Sequence, residues 1–309
     1  MSRRPLVHIG YHKTATTWFQ RQFYPRVANA RYIPQIDVIR AFKAYDMLAP
    51  DDAALREALG MSGELPVILC DETLCGSFRG THLRSSMGWS TSNVLATALP
   101  DAEIVIFVRA QQSMLAATYA EYVRGGGTRS PAALFGLETV APSQSLRIAS
   151  IPSPHIAHFD YDRLISRYDT LFGPDRVHVF LYEDFMRDPQ AFLRRYVARL
   201  GLDIDVDGVG LSRENMSYRR GVMGVARLLN HMGQAEGGHP VPMNIPGMFR
   251  LSRRFLHRLN HVARAAPAPS PADLFGAEML AWIEQRFAPG NRRLAGLRDL
   301  QLAENGYPL

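Results

Sequence analysis

The sequence predicts an α/β fold, a parallel sheet flanked by helices, from three observations. Apolar runs of strand length recur along the 309 residues, helix-length stretches separate them, and glycine, proline and capping residues mark the joins. The first run spans residues 5–10 and is followed by a helical stretch over 16–23. Runs at 66–70, 104–108 and 177–182 are apolar without polar alternation, which is the pattern of strands buried on both faces of a parallel sheet. Residues 113–123, 161–171 and 189–200 read as helices, and Asp188-Pro189 and Gly201 bracket the last one. Segments 125–154 and 233–247 are rich in Gly, Pro and Ser and read as loops. The chain contains no internal repeat.

Hydrophobic residues make up 47% of the chain, enough for a sizeable core in one domain over residues 1–309. No run of about 18 apolar residues is present, so no membrane span is expected. Met1-Ser-Arg-Arg-Pro leads straight into the first strand, so no signal peptide is expected. Cys70 and Cys75 stand five apart without a second pair or a neighbouring histidine in sequence, so free thiols in the cytoplasm are expected rather than a zinc site. The net charge of +6 favours anionic partners: a phosphorylated nucleotide, an acidic glycan, nucleic acid or a membrane surface.

The segment His12-Lys13-Thr14-Ala15-Thr16-Thr17-Trp18 follows the first strand directly. Free backbone N–H groups at a helix start carry partial positive charge. Lys13 adds a full charge, and Thr14, Thr16 and Thr17 add hydroxyl donors within one turn. Lys13 is one of only two lysines among 35 basic residues, so this position is set apart from the generic cations, which are arginines. The nucleotide-triphosphate loop places Gly before Lys; here His12 stands there and the nearest glycine is Gly10, so the turn is shorter and fits a single phosphate bearing one further group. A small-molecule kinase using ATP and magnesium is the alternative enzyme class. It lacks that glycine and a clear magnesium-binding Asp. A basic nucleic-acid-binding protein is a third reading, for which no motif is present.

At these residues the chain resembles the sulfotransferases that use 3′-phosphoadenosine 5′-phosphosulfate (PAPS), whose loop reads Lys, Ser or Thr, Gly, Thr, Thr. That resemblance implies the P-loop-containing nucleoside-triphosphate-hydrolase-like fold of the family, with Lys13 at the bridging oxygen of the donor. Thr16 and Thr17, with Thr14 and Ala15 beside them, would hold its 5′-phosphate. Ala15 stands where the family has glycine, which costs on the order of 1 kcal/mol if the backbone there has positive φ. Trp18 would lie against adenine, or equally belong to the core.

Arg109, at the end of the third apolar run, matches the family's arginine for the 3′-phosphate; its partner serine position is Ala117. Ser113 shares a helix face with Ala117 and can supply the hydroxyl, with Thr118 the other choice. Tyr182-Glu183-Asp184 resembles the family's segment near adenine. Arg219-Arg220-Gly221 is similar to its basic loop at the 3′-phosphate, with Arg220 the candidate contact, although a solvated helix start accounts for the same residues. The resemblance covers residues 5–24, 100–124 and 175–203; residues 205–275 would form a mostly helical acceptor or lid region.

Sulfuryl transfer to a hydroxyl or amine of a carbohydrate, lipid or small molecule needs charge stabilisation on the leaving side and a general base on the other. Lys13 suits the first task. Glu72, at the end of the second apolar run, is the leading candidate base, followed by His12 and then Asp71; a helix-capping or surface role for Glu72 is the plain alternative. No metal is implied. Residues 249–264 form a basic amphipathic stretch with Ser252, Phe255, Leu256, Leu259 and Val262 on one face. It reads first as a core-facing helix with a solvated back, and second as a contact for anionic lipid or glycan.

Overall fold

The computed structural model describes residues 4–76, 86–135, 156–211, 218–233 and 243–309. Among these residues, five strands form one sheet: β1 (Leu6–His8), β2 (Arg31–Ile33), β3 (Val67–Cys70), β4 (Glu103–Val108) and β5 (Val177–Leu181). Their order is β2-β3-β1-β4-β5 and every pairing is parallel. Burial on both sides accounts for the unbroken apolar runs: Ile104, Ile106 and Val108 enter one core cluster, while Val105 and Phe107 enter the other.

Helices cover the two faces: α1 (Thr16–Trp18), α2 (Gln35–Ala44), α3 (Asp52–Ala58), α4 (Ser86–Ala98), α5 (Gln111–Arg124), α6 (Pro131–Phe135), α7 (Tyr161–Phe172), α8 (Tyr182–Arg187), α9 (Pro189–Leu200), α10 (Val222–Leu229), α11 (Met248–Val262) and α12 (Pro271–Leu297). Asp188 caps α9 by accepting from the Ala191 N–H at 3.0 Å, and Gly201 closes it at φ 62°, as the bracketing residues predicted. No helix among the described residues is long and apolar enough to cross a membrane.

Three expectations about the elements need correction. The helix expected over 16–23 is α-helical only over α1; it widens into a π turn at Phe19–Phe23 and tightens to a 3-10 turn at Tyr24–Arg26, where Pro25 lacks an N–H. β2 and α2 to α4 were not anticipated. Nor was α12, which bends at Gly276 (φ 69°, ψ 174°) and carries Pro289 inside. The loops expected at 125–154 and 233–247 lie in part outside the described residues; within the first, α6 is helical.

The strand order gives the site its position. β1 lies between β3 and β4, with the chain running outward to one side of β1 and later to the other. The carboxyl end of β1 is therefore a topological switch point, where α/β sheets open a crevice for ligands. Beneath it, fully buried His8 stacks on Phe107 at 5.0 Å and its Nδ1 lies 2.8 Å from the Tyr24 hydroxyl. Burial lowers the His8 pKa to about 3.

Candidate active site

The turn from β1 to α1 is built tightly against this histidine. A Cβ on Gly10 would come within 2.8 Å of His8 Nε2, so a close approach dictates glycine there. Thr14 is wholly buried and donates to the Tyr11 carbonyl at 2.5 Å. Its hydroxyl thus fastens the turn, and Thr14 is not among the residues that line the neighbouring cavity. Lys13 and Ala15 have φ of 67° and 68°. Each left-handed residue stores about 1–2 kcal/mol, and the positive φ at Ala15 is the case in which alanine is dearer than glycine.

His12, Lys13, Ala15, Thr16, Thr17 and Trp18 line a cavity of about 770 Å³. The Thr16 hydroxyl is buried and has no hydrogen-bond partner among the described residues, which marks a place for an outside acceptor. Trp18 belongs to the core and also reaches the cavity wall. It packs on Phe19 and Phe185 at 5.1 Å, donates from Nε1 to the Gly210 carbonyl at 3.0 Å, and still borders the cavity.

Residues at the ends of β3, β4 and β5 complete the walls. Arg109 follows β4 and acts as a clamp: Nη1 donates to the Lys13 carbonyl at 3.0 Å and Nε to Ser113 Oγ at 2.9 Å. Its guanidinium lies 4.6 Å from the centre of the Tyr182 ring, the first residue after β5. Ser113 and Ala117 both line the cavity, while Thr118 is buried elsewhere, so Ser113 is the hydroxyl at hand. Glu183 accounts for the segment after Tyr182: it accepts from the Ala110 N–H at 2.9 Å and from the Tyr307 hydroxyl at 3.0 Å, sealing the start of α5.

Glu72 follows β3 and lines the same cavity. Desolvation by burial raises its pKa above 4.5 and Asp71 adds to the rise, while nearby Lys13 acts against it. Asp71 is committed elsewhere: it caps the turn at Glu72–Cys75, taking Thr73 N–H at 3.0 Å and Thr73 Oγ1 at 2.8 Å, and accepts from Gln35 at 3.0 Å. The capping role that was the alternative for Glu72 thus falls to Asp71.

Several participants were not anticipated. Lys13 Nζ pairs with Glu121 Oε2 at 3.0 Å. The signal was present, since Ser113, Ala117, Glu121 and Arg124 share one stripe of α5. Arg220 is turned to Asp273 at 2.5 Å and does not line the cavity; its neighbour Arg219 does, with a buried Nε that has no partner among the described residues. His158 and His12 come to Cys75, one donor atom of each lying within 4.8 Å of the others, although sequence showed no histidine near either cysteine. Burial holds the Cys75 thiol well above its ordinary pKa, with Glu72 and Asp71 adding to the effect.

The turn of residues 12–18 thus stands at a switch point of the sheet, with Arg109 fastened to it. The model of the sulfotransferase family matches residues 8–206, more than half of the chain. The chain belongs to the sulfotransferase family. The match includes Lys13, Glu72, Arg109 and Tyr182, and the sheet with flanking helices is the P-loop-like fold of that family.

A search of curated proteins gave no match. Among solved structures, a sulfotransferase from Alicyclobacillus acidocaldarius is similar at 21% identity and a TM-score of 0.48, over 70% of this chain and 87% of that one. A mouse sulfotransferase complexed with PAP is similar at 12% identity and a TM-score of 0.45, over 99% of this chain and 91% of the other. The sulfotransferase domain from the curacin biosynthetic pathway is similar at 11% identity and a TM-score of 0.38, over 86% of this chain and 99% of that domain.

Proposed function

We propose that this sulfotransferase moves a sulfuryl group from PAPS to a hydroxyl or amine of a carbohydrate, lipid or small-molecule acceptor, without a metal. One observation carries the reading: Lys13, Thr16, Glu72 and Arg109, from the ends of three different strands, face a single cavity. The unpartnered Thr16 hydroxyl and Arg219 Nε on its walls suit an anion. The donor supplies an activated sulfuryl group on a phosphate leaving group.

The chain's own residues divide the remaining work. Lys13 neutralises charge that builds on the leaving oxygen, and Thr16 and Thr17 orient the phosphate. Arg109 and Ser113 hold the 3′-phosphate, and Arg219 takes the role first expected of Arg220. Trp18 and Tyr182 border the adenine. Glu72 in its ionised form accepts the acceptor's proton as the new S–O or S–N bond forms, with His12 the alternative base. Tyr218, Met223, Pro269 and Leu274 lie within 205–275 and line the cavity, which supports an acceptor wall there.

Calorimetry tests the reading. Adenosine 3′,5′-bisphosphate should bind without metal, and ATP should bind no better when magnesium is added. Lys13→Ala should lower kcat/KM by roughly 10²–10³, the scale of losing one preorganised charge-stabilising donor. Tight binding of ATP only with magnesium, or full turnover by Lys13→Ala, would remove the proposal.

A further inference from the structure

Helix α11 departs from the sequence expectation in one respect that matters. Its apolar arc, from Leu251 round to Leu256, spans about 140° at 3.6 residues per turn. The protein body covers half of it: Ser252 and Leu256 are buried, and Leu259 is packed on the core. Phe255 and Val262, expected on the core face, are instead 52% and 80% exposed, and Leu251 is 61% exposed. These three share one ridge with Arg258. Arg250, Arg254, His257 and His261 are also exposed, along the side of the helix flanking that ridge. None of the residues of Met248–Val262 is an Asp or Glu.

An apolar ridge bordered by arginines with no acid is the pattern of a helix lying in the interface of an anionic bilayer. A second copy of this chain is disfavoured as the occupant, because a two-fold contact would set like arginines against each other. We propose that α11 docks this protein on an anionic membrane surface, with Leu251, Phe255 and Val262 inserted between headgroups and the arginines on the lipid phosphates.

The far side of the helix ties that surface to the cavity. Arg253 Nη1 donates to the Tyr218 hydroxyl at 2.5 Å, and Asn260 Oδ1 accepts from the Arg219 N–H at 2.7 Å. Tyr218 and Arg219 line the cavity, so docking holds that wall about one helix diameter, roughly 10 Å, above the lipid. An amphiphilic acceptor whose hydroxyl or amine stands clear of the bilayer fits this placement. Only that last clause rests on the sulfuryl-transfer reading.

Vesicle co-sedimentation of the full chain tests docking without reference to any reaction. The chain should bind vesicles of phosphatidylglycerol and phosphatidylcholine in equal parts, not phosphatidylcholine alone, and salt should weaken binding. Arg254→Gln with Arg258→Gln should weaken it about thirtyfold, from roughly one factor of ten or less per surface arginine. Leu251→Ser with Phe255→Ser should weaken it at least about tenfold through lost apolar insertion. Both pairs lie outside the cavity, so thermal stability and turnover of a soluble acceptor should stay near wild type. The proposal falls if anionic vesicles fail to bind the chain, if neutral ones bind equally, or if the variants bind as wild type. It falls equally if Phe255→Ser instead dissociates a dimer, or if a sulfated glycan competes the chain off the vesicles at low occupancy.

Discussion

Lys13 Nζ lies 3.0 Å from Glu121 Oε2, so the cation proposed to face the leaving phosphate is held by a carboxylate two turns along α5 from Ser113. Both side chains are about 30% exposed (27% and 33%), and a pair so placed is worth about 1 kcal/mol or less. An arriving phosphate must compete with it. Glu121→Gln should therefore tighten adenosine 3′,5′-bisphosphate binding up to about fivefold, measured by calorimetry. Unchanged or weaker binding would mean that Glu121 orients Lys13 for the ligand and does not oppose it.

Glu72 gives a signed dependence on pH. Desolvation places its folded pKa above 4.5, so the folded state binds its proton more tightly than the unfolded chain does. The stability it contributes is full below the unfolded value and is lost as pH rises through the folded one. Glu72→Gln should thus gain stability relative to wild type as pH rises above about 4.5, read from urea unfolding. The same substitution should slow transfer roughly 10²–10⁴-fold and remove the acidic limb of the rate profile; if that limb survives, His12 is the base.

Arg109 touches the Lys13 carbonyl, Ser113 and the Tyr182 ring at once. Lysine cannot reproduce a planar fork that spans these contacts. Arg109→Lys should raise the KM for PAPS by roughly 10–100-fold, with Ser113→Ala raising it only several-fold. Initial-rate kinetics at saturating acceptor measure both. Equal KM values in the two variants and wild type would free Arg109 from the donor site.

Gly10 tests the packing under the turn. Gly10→Ala sets a methyl 2.8 Å from His8 Nε2, and overpacking of this kind costs about 1–3 kcal/mol. A melting temperature lowered by several degrees is expected, partly restored when His8→Ala is added. An unaltered melting temperature would show that the turn relaxes around the methyl.

Legibility in the sequence followed the density of local signal. The buried strands were plain because a short unbroken apolar run needs cover on both faces, which a parallel sheet between helices supplies. Residues 12–18 carried a lysine and hydroxyls at contact spacing, just after Gly10. Edge strand β2 has only three residues, too short for any period to register. Helix α12 hid behind Pro271, Gly276 and Pro289; the first occupies a helix start and the second absorbs a bend, both of which a breaker rule counts against a helix. Glu121 was visible only as one position on a stripe whose orientation the fold decides. That Arg220 pairs with Asp273 while Arg219 lines the cavity depends on residues more than fifty positions away, beyond the reach of a local pattern.

The neutral imidazole at the base of β1 sets an acid limit on this molecule. An unfolded chain would protonate His8 near its ordinary value of 6.5, whereas the folded core resists down to about 3. Stability present above the first value drains away as pH falls toward the second, by up to about 5 kcal/mol at roughly 1.4 kcal/mol for each unit. Acid would therefore undo the sheet from its centre, at the strand that leads into the Lys13 turn.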